Sequence, residues 1–351
     1  MSNRGVLSLL IVALALLTSP GLTVPVAAQA TLVVDVDNPS CTGGIPDFST
    51  IFEAILIASS GDTIHVCDGD YTEPTMTIYA YKDHLTITGP GATPENDGVA
   101  TVHHSGGLSW LIGIEADYVV VEGLDLDATS YGIENSGNSV FIQNNEIRNA
   151  GAYAVSSPYG TQNVRILSNN IHDSAKGVFC VCDDSAVSGN TVTGLYSFAL
   201  DIEGDRTVVT DNVVNGRVYA SGDDLLVSSN NMSGPALTPL LGVLGARAQV
   251  TDNTLSDTSG YGIQVTNQYT STDVTIARNT FTRVDKPISL WDPAPGDSVF
   301  LTATIGGSAS EANTFIDSGG SLGDSNYLVQ MDGSTLDVNA TYNKWGLCTL
   351  A

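Results

Sequence analysis

Between Val140 and Trp345 one pattern of apolar and polar positions recurs: apolar, any, apolar, any, any, Asn, any, apolar. It runs through Val140, Ile142, Asn145 and Ile147, and again through Val164, Ile166, Asn169 and Ile171. Looser copies place the asparagine at Asn190, Asn212, Asn230, Asn253, Asn279, Asn313 and Asn343. An apolar residue stands two further on each time, from Val192 and Val214 to Phe315 and Trp345. Successive asparagines lie 24, 21, 22, 18, 23, 26, 34 and 30 residues apart. Alternation with period two is the periodicity of a strand. A repeat this short cannot bury its own apolar face, so successive repeats must stack.

A second strand-like phrase follows most asparagines by about nine residues, as Ala154-Val155, Gly177-Val178, Ala199-Leu200, Gly262-Ile263 and Pro287-Ile288. Each winding therefore holds three short strands and no helix. The pattern predicts an all-β fold, a right-handed parallel β-helix whose coils lie about 4.8 Å apart. Val119, Val121, Leu124 and Leu126 form an earlier rung, with Leu124 where the asparagine later sits. Two early rungs and nine asparagine-marked ones give about 11 coils, a rod on the order of 50 Å long. Leucine-rich repeats carry a similar phrase but need another Leu eight residues before the asparagine. Those positions here are Gly137, Thr161, Cys182, Gly204, Gly222 and Gly245. The apolar positions also favour Val and Ile, as strands do.

Asp47 to Ser60 reads as a helix, with Thr50 and Glu53 at capping-box spacing, Ile51, Ile55 and Ala58 on one face, and Gly61 as its stop. Its predicted role is to cover the open end of the stack, whose unpaired N–H and C=O groups would otherwise template aggregation. The later gaps of 34 and 30 residues hold Pro293-Ala-Pro295 and Ser318-Gly-Gly320 and read as bulging loops. Each ladder asparagine is expected to bond the backbone through its carboxamide and to tolerate the left-handed region at a tight corner.

Residues 1–30 have the form of an export leader: Arg4, an apolar run from Val6 to Leu17, and Ala28-Gln29-Ala30 as a cleavage site. The run is too short to span a bilayer comfortably. The mature chain is expected to be secreted, extracellular or at the cell surface, and to form one domain over 31–351. In it, 31–90 supply the N-terminal cap and first coils, and 118–346 the asparagine-ladder coils. Without Arg4, 11 basic residues face 38 acidic ones, a formal charge of −27. Such a surface repels nucleic acid and anionic lipid. Uronate polymers are repelled too unless a basic patch or Ca²⁺ intervenes. Asp35-Val-Asp37-Asn38 and Asp68-Gly-Asp70 are the acidic pairs that leave Ca²⁺ open, but neither completes a twelve-residue Ca²⁺ loop. No other cofactor is indicated.

Five cysteines in an exported chain invite pairing. Cys41 and Cys67 flank the first helix–strand unit and are the expected disulfide. Cys180 and Cys182 point to the same face of a strand, where extended geometry sets their Cα atoms roughly 6.5 Å or more apart. Buried free thiols are the expectation there, with a strained pair or a metal site as alternatives. Cys348 is left over.

Gly61-Asp-Thr-Ile-His-Val-Cys67 followed by Gly69-Asp-Tyr-Thr-Glu73 resembles the first coil of secreted pectin-lyase-like β-helix proteins. The recurrent Asn is similar to their asparagine ladder, and Asn339-Ala-Thr-Tyr-Asn-Lys-Trp-Gly346 resembles the phrase closing many bacterial surface β-helix repeats. The resemblance spans nearly all of 31–346. It implies the fold and leaves activity open, since the superfamily holds lyases, hydrolases, epimerases and non-enzymatic surface proteins.

Catalytic members of that superfamily usually work from outward side chains of one strand face. Alternation sends Val178, Cys180, Leu200, Ile202, Ile263, Ile288 and Leu290 inward, and Glu134, Phe179, Asp201, Glu203, Tyr219, Gln264 and Trp291 outward. Asp201 and Glu203, two apart on one face, would hold their carboxyls roughly 6–7 Å apart, a separation that admits a water between acid and base. Asp183 and Asp205 fall in register on adjacent coils. These four are the candidate catalytic residues. Lys176, Arg206 and Arg217 can steer an acidic sugar, and Phe179, Tyr196, Phe198 and Tyr219 can stack on pyranose rings; Lys176, Phe179, Arg217 and Tyr219 are the candidate substrate-binding set. Of the motifs that polygalacturonase-like hydrolases share, only Asp183-Asp184 is present, and the Ca²⁺-and-Arg cassette of pectate-lyase-like enzymes is missing. His103-His104 read as an early loop, His65 and His84 as parts of capping strands, and His172 as a corner residue, none of them a catalyst. The expected function is therefore glycan binding or scaffolding by an exported β-helix, with a polysaccharide lyase or glycoside hydrolase as the alternative. The expected partner is a polysaccharide or cell-surface glycan, and the expected state a monomer without a membrane span.

Overall fold

The computed structural model describes residues 29–36, 41, 47–92, 98–195, 197–234, 239–266, 272–291, 301–318, 329–332, 336–341 and 343–345. The expected leader up to residue 28, Asp37, Tyr196, the Pro293–Pro295 loop and Cys348 lie outside them.

Strands pair in parallel into two sheets, of 13 and 21 strands, the larger having two arms described below as the second and third sheets. The first holds 13 strands, from Thr31–Val34 and Thr63–Val66 through Phe141–Gln143 and Arg165–Leu167 to Leu336–Asn339. Four of them precede Phe141–Gln143, the strand that leads into the first ladder asparagine, where the sequence pattern marks two early rungs. The second sheet runs from Gly69–Glu73, Ala100–His104 and Asp125–Asp127 through Glu146–Arg148 and Asn170–His172. The third includes Trp110–Ile114, Tyr131–Asn135, Tyr153–Gln162, Lys176–Asp183, Phe198–Glu203 and Arg217–Ser221. Further along, Thr254–Thr266 and Thr280–Trp291 run unbroken through both the second and third sheets. Among the described residues no helix is long and apolar enough to cross a membrane.

Register explains the repeat. Ile142 lies on Ile166 and Ile147 on Ile171, so each inward side chain meets its own kind one winding away. Those inward residues are fully buried, at roughly 1.5–3 kcal/mol of hydrophobic stabilisation per Val or Ile. One inward stack is aromatic, with Phe281 and Phe315 rings 5.0 Å apart and nearly parallel.

The asparagines form one unbroken file. The N–H of Leu124 donates to Asn145 Oδ1 at 3.1 Å, and the file ends where Asn313 Nδ2 donates to Asn343 Oδ1 at 3.0 Å. Each Nδ2 also donates to a carbonyl, as Asn190 does to Ile166 O at 2.8 Å. The left-handed residue at these corners is not the ladder asparagine but the one before it: Asn144, Ser168, Gly189, Asp211, Ser229, Asp252 and Arg278 all have φ between 54° and 67°. The turn precedes the side chain that locks it, which corrects the sequence expectation. A second backbone constraint sits at Gly204 and Gly222, where a Cβ would come within 2.1 Å of the Cys182 and Gly204 carbonyl oxygens. Backbone passes too close there for any side chain.

The helix spans Ile51–Ile57, shorter than the Asp47–Ser60 segment that reads as helical. Thr50 caps it by accepting from Glu53 N at 3.2 Å, and the buried Glu73 carboxylate accepts from Ile51 N at 2.7 Å and Phe52 N at 3.2 Å. Ile51, Ala54 and Ile55 face the first strands. Lys82 Nζ holds the other end through the Leu56 carbonyl at 3.2 Å and the Ala58 carbonyl.

Cys41 and Cys67 are joined, with Cα atoms 5.8 Å apart. Cys180 and Cys182 are joined as well, at 5.4 Å, and are not the free thiols expected. Their strand pairs with one whose register shifts between Ser157 and Thr161, opposite these cysteines. The observed Cα spacing falls within what a disulfide spans and is shorter than the extended value assumed from sequence.

Candidate functional site

The outward face of the third sheet is built by register. Glu134 lies on Ser156, Ser156 on Phe179, Phe179 on Asp201, Asp201 on Tyr219 and Tyr219 on Gly242. Toward the strand starts, Tyr153 lies on Lys176 and Phe198 on Arg217; toward the ends, Val181 lies on Glu203 and Glu203 on Ser221. Six of the eight candidates, Lys176, Phe179, Asp201, Glu203, Arg217 and Tyr219, share this face and are half-buried. The intervening Val178, Cys180, Leu200 and Ile202 are buried, which is why a stretch of five residues can serve core and surface at once.

Rings and cations interleave along it. Tyr131 and Tyr153 stack with centroids 6.3 Å apart, and Tyr153 and Phe179 at 5.3 Å. Lys176 Nζ lies 4.4 Å from the Tyr153 ring centre and 3.0 Å from its hydroxyl. The Arg217 guanidinium sits 4.4 Å from the Phe198 ring centre. Arg217 Nε, Trp110 Nε1 and Thr266 Oγ1 are the buried side-chain polar atoms without a partner among the described residues, and all three belong to this sheet.

Electrostatics single out Asp201. Burial pushes its carboxyl up and the neighbouring Glu203 adds to that, against the pull of Arg217 and Lys176. Burial also raises the Tyr219 phenol, with Glu203 contributing. Glu134 is raised by burial, while Tyr159 hydroxyl donates to it at 3.4 Å. Neither Asp201 nor Glu203 accepts a hydrogen bond from a described residue.

Asp183 and Asp205 are placed differently. Asp183 ends its strand and Asp205 lies in the corner just past Glu203, where Asp183 Oδ1 accepts the N–H of Asp205 and Asp205 Oδ1 that of Asp223, each at 2.8 Å. Asp223 Oδ1 continues the file to Ala246 N at 2.9 Å. This second ladder satisfies backbone donors from winding to winding. Beside it, Asp184 takes Arg206 in a fork at 2.6 and 2.8 Å, and Asp224 takes Arg247 at 2.6 and 2.7 Å. Arg206 is thereby held away from the strip it was expected to serve.

The second sheet carries a cluster that sequence reasoning missed. His103, at the end of a strand and not in a loop, lies on Asp127, Asp127 on Arg148 and Arg148 on His172. Its neighbour His104 is buried, bonded to Thr129 Oγ1 at 2.8 Å, and its pKa is lowered by that burial. The signal was present: residues one and three past each corner must face outward, as Glu146 and Arg148 do after Asn145.

Among the described residues, the grouping close enough to share a metal ion is Cys41, His65 and Cys67, with ligand atoms within 4.8 Å, but its sulfurs are bonded to each other. That donor set does not suit the oxygen-preferring Ca²⁺.

Residues 110–335 match the family model described as a right handed beta helix region. No curated protein matches the sequence. Among solved structures, the A-module of mannuronan C-5 epimerase AlgE6 from Azotobacter vinelandii aligns at 12% identity and a TM-score of 0.50, over 84% of this chain and 93% of its own. Pectate lyase Pel9A aligns at 12% and 0.45, over 90% and 81%. A tailspike protein of E. coli bacteriophage HK620, in complex with a pentasaccharide, aligns at 13% and 0.46, over 82% and 66%. By its family match, borne out by its parallel strand stacking and its asparagine file, the chain belongs to the right-handed beta helix family.

Proposed function

We propose that this is an exported β-helix protein that binds a glycan along the outward face of its third sheet, without catalysis. The observation that carries the reading is the pair Asp201 and Glu203: two half-buried carboxylates, side by side on one strand, with no hydrogen bond from a described residue. Carboxylates left without donors match the hydroxyl groups of a sugar, which supply donors in pairs. Phe179 and Tyr219 flank Asp201 on the adjacent windings, and Arg217 offers a guanidinium beside it. With Glu134, Asp201 and Glu203 together, a neutral glycan fits this strip better than a uronate polymer.

A second reading, a glycoside hydrolase or lyase, is favoured by the raised Asp201 carboxyl, since a general acid must hold its proton near the working pH. A polysaccharide panel separates the two. Binding that is lost in Asp201→Asn and Glu203→Gln, with neither reducing ends nor unsaturated products released, supports the first. Product release abolished by either substitution supports the second. Wild-type binding retained by both variants removes the strip from either role. Recovery of the chain outside cells only when residues 1–30 are present tests export.

A further inference from the structure

The Cys41–Cys67 bridge has a third group beside it. His65 lies in the strand Thr63–Val66 and Cys67 follows that strand, so alternation turns both away from the buried Ile64 and Val66. The ligand atoms of Cys41, His65 and Cys67 all lie within 4.8 Å of one another. Two of the three are fixed by backbone pairing. His65 stands in register between Val33 and Thr88, while Cys67 N–H donates to Val34 O at 2.9 Å and the buried Tyr71 hydroxyl donates to Cys67 O at 3.0 Å. The His65 ring is half-buried, yet among the described residues neither of its nitrogens has a hydrogen-bond or ionic partner. An unengaged imidazole held against two sulfurs is a donor that the disulfide does not use and a soft metal ion would.

The spacing fits such an ion once the bridge is opened. With Zn–S bonds of about 2.3 Å, two thiolates on a tetrahedral Zn²⁺ stand about 3.8 Å apart. A disulfide reaches that separation by rotation about its Cα–Cβ bonds, and the Cα atoms of Cys41 and Cys67, 5.8 Å apart, can stay where they are. Two thiolates cancel the charge of Zn²⁺, His65 supplies a third donor, and water takes the fourth position. Access favours this bridge over the other. Cys41 is exposed to a reductant, whereas Cys180 and Cys182 are both buried. A chain of formal charge −26 also draws divalent cations toward its surface.

We propose that Cys41, His65 and Cys67 form a redox-gated zinc site, closed as the disulfide and open to one Zn²⁺ after a thiol reductant has reduced the bridge. Two reductant thiols each give one electron and one proton to the Cys41–Cys67 bond and leave joined to each other as a disulfide. Zn²⁺ then displaces both cysteine protons to solvent and takes the neutral His65 imidazole as its third protein ligand. The test is titration of the full chain with Co²⁺, a spectroscopic stand-in for Zn²⁺, before and after reduction by a water-soluble phosphine. The reduced protein should bind one equivalent with a thiolate-to-cobalt charge-transfer band that added Zn²⁺ abolishes, and the oxidised protein should show no band. His65→Ala should weaken binding about tenfold or more, since removal of a mere outer-sphere partner already costs that much. Its oxidised form should melt with wild type, which separates a lost ligand from a lost fold. The double substitution Cys180→Ser, Cys182→Ser should keep the band. A reduced chain that takes up no Co²⁺, a band in the oxidised chain, or binding unchanged in His65→Ala overturns the proposal. So does a band kept in Cys41→Ser and lost in the double variant, which would move the metal to the other cysteine pair.

Discussion

Asn169 Oδ1 accepts two hydrogen bonds from Asn145, one from its backbone N–H and one from its Nδ2, both at 3.1 Å. The same double acceptance recurs at Asn190, Asn212, Asn230, Asn253, Asn279, Asn313 and Asn343. One carboxamide thus closes its own corner and completes its neighbour's.

Asn190→Leu therefore leaves the Asn169 N–H and Nδ2 without their acceptor and the Ile166 carbonyl without its side-chain donor. The expected loss is about 1–3 kcal/mol, set by unsatisfied buried groups and not by packing. Urea unfolding measures it. A midpoint equal to wild type would mean that water replaces the ladder.

Asp205 separates a structural role from a chemical one. Asn at this position can still accept the Asp223 N–H, whereas Ala cannot. Asp205→Asn should keep wild-type stability and Asp205→Ala should lose about 1 kcal/mol, with glycan binding intact in both. Binding lost in Asp205→Asn would return this carboxylate to the functional set.

Burial and Glu203 raise the folded-state pKa of Asp201 above its unfolded value. The folded protein thus holds this proton more tightly, so the group favours folding below the unfolded pKa and that advantage fades as pH rises through the folded one. At neutral pH the charged carboxylate is a burden that Asp201→Asn removes. Melting temperatures compared at pH 7 and pH 3 should show the variant more stable at the first and level with wild type at the second. The opposite order would place a stabilising donor on Asp201.

His172 carries the other linkage. Although burial opposes it, hydrogen bonds to Glu146 and Asp173 raise its pKa above the ordinary imidazole value. Its contribution is present below the unfolded pKa and is lost as pH climbs through the folded one. His172→Gln should be less stable than wild type at pH 5 and close to it at pH 9. An imidazole titration below the usual value by NMR would contradict the pairing.

The architecture was legible because one polar residue returns against a period-two apolar background, and that background is what stacking requires. The strip was legible for the same reason: alternation alone sends Asp201 and Glu203 outward and Ile202 inward. What stayed hidden depends on contacts between windings. Register could align Asp183 with Asp205, but not reveal that the first accepts the second's N–H. Spacing could not show that the Ser157/Thr161 irregularity falls opposite Cys180 and Cys182. Nor do His103, Asp127, Arg148 and His172, one on each of four successive windings, announce that they stand in one column.

The guanidinium forks have a colloidal consequence. Arg206, Arg247, Arg278 and Arg283 each lock onto an aspartate of a neighbouring winding, out of a chain with only 12 Lys and Arg in all. Few mobile positive groups remain to greet a second copy arriving side-on. Dilute solutions of low ionic strength should keep the rods apart by mutual repulsion, and added electrolyte should let them draw together.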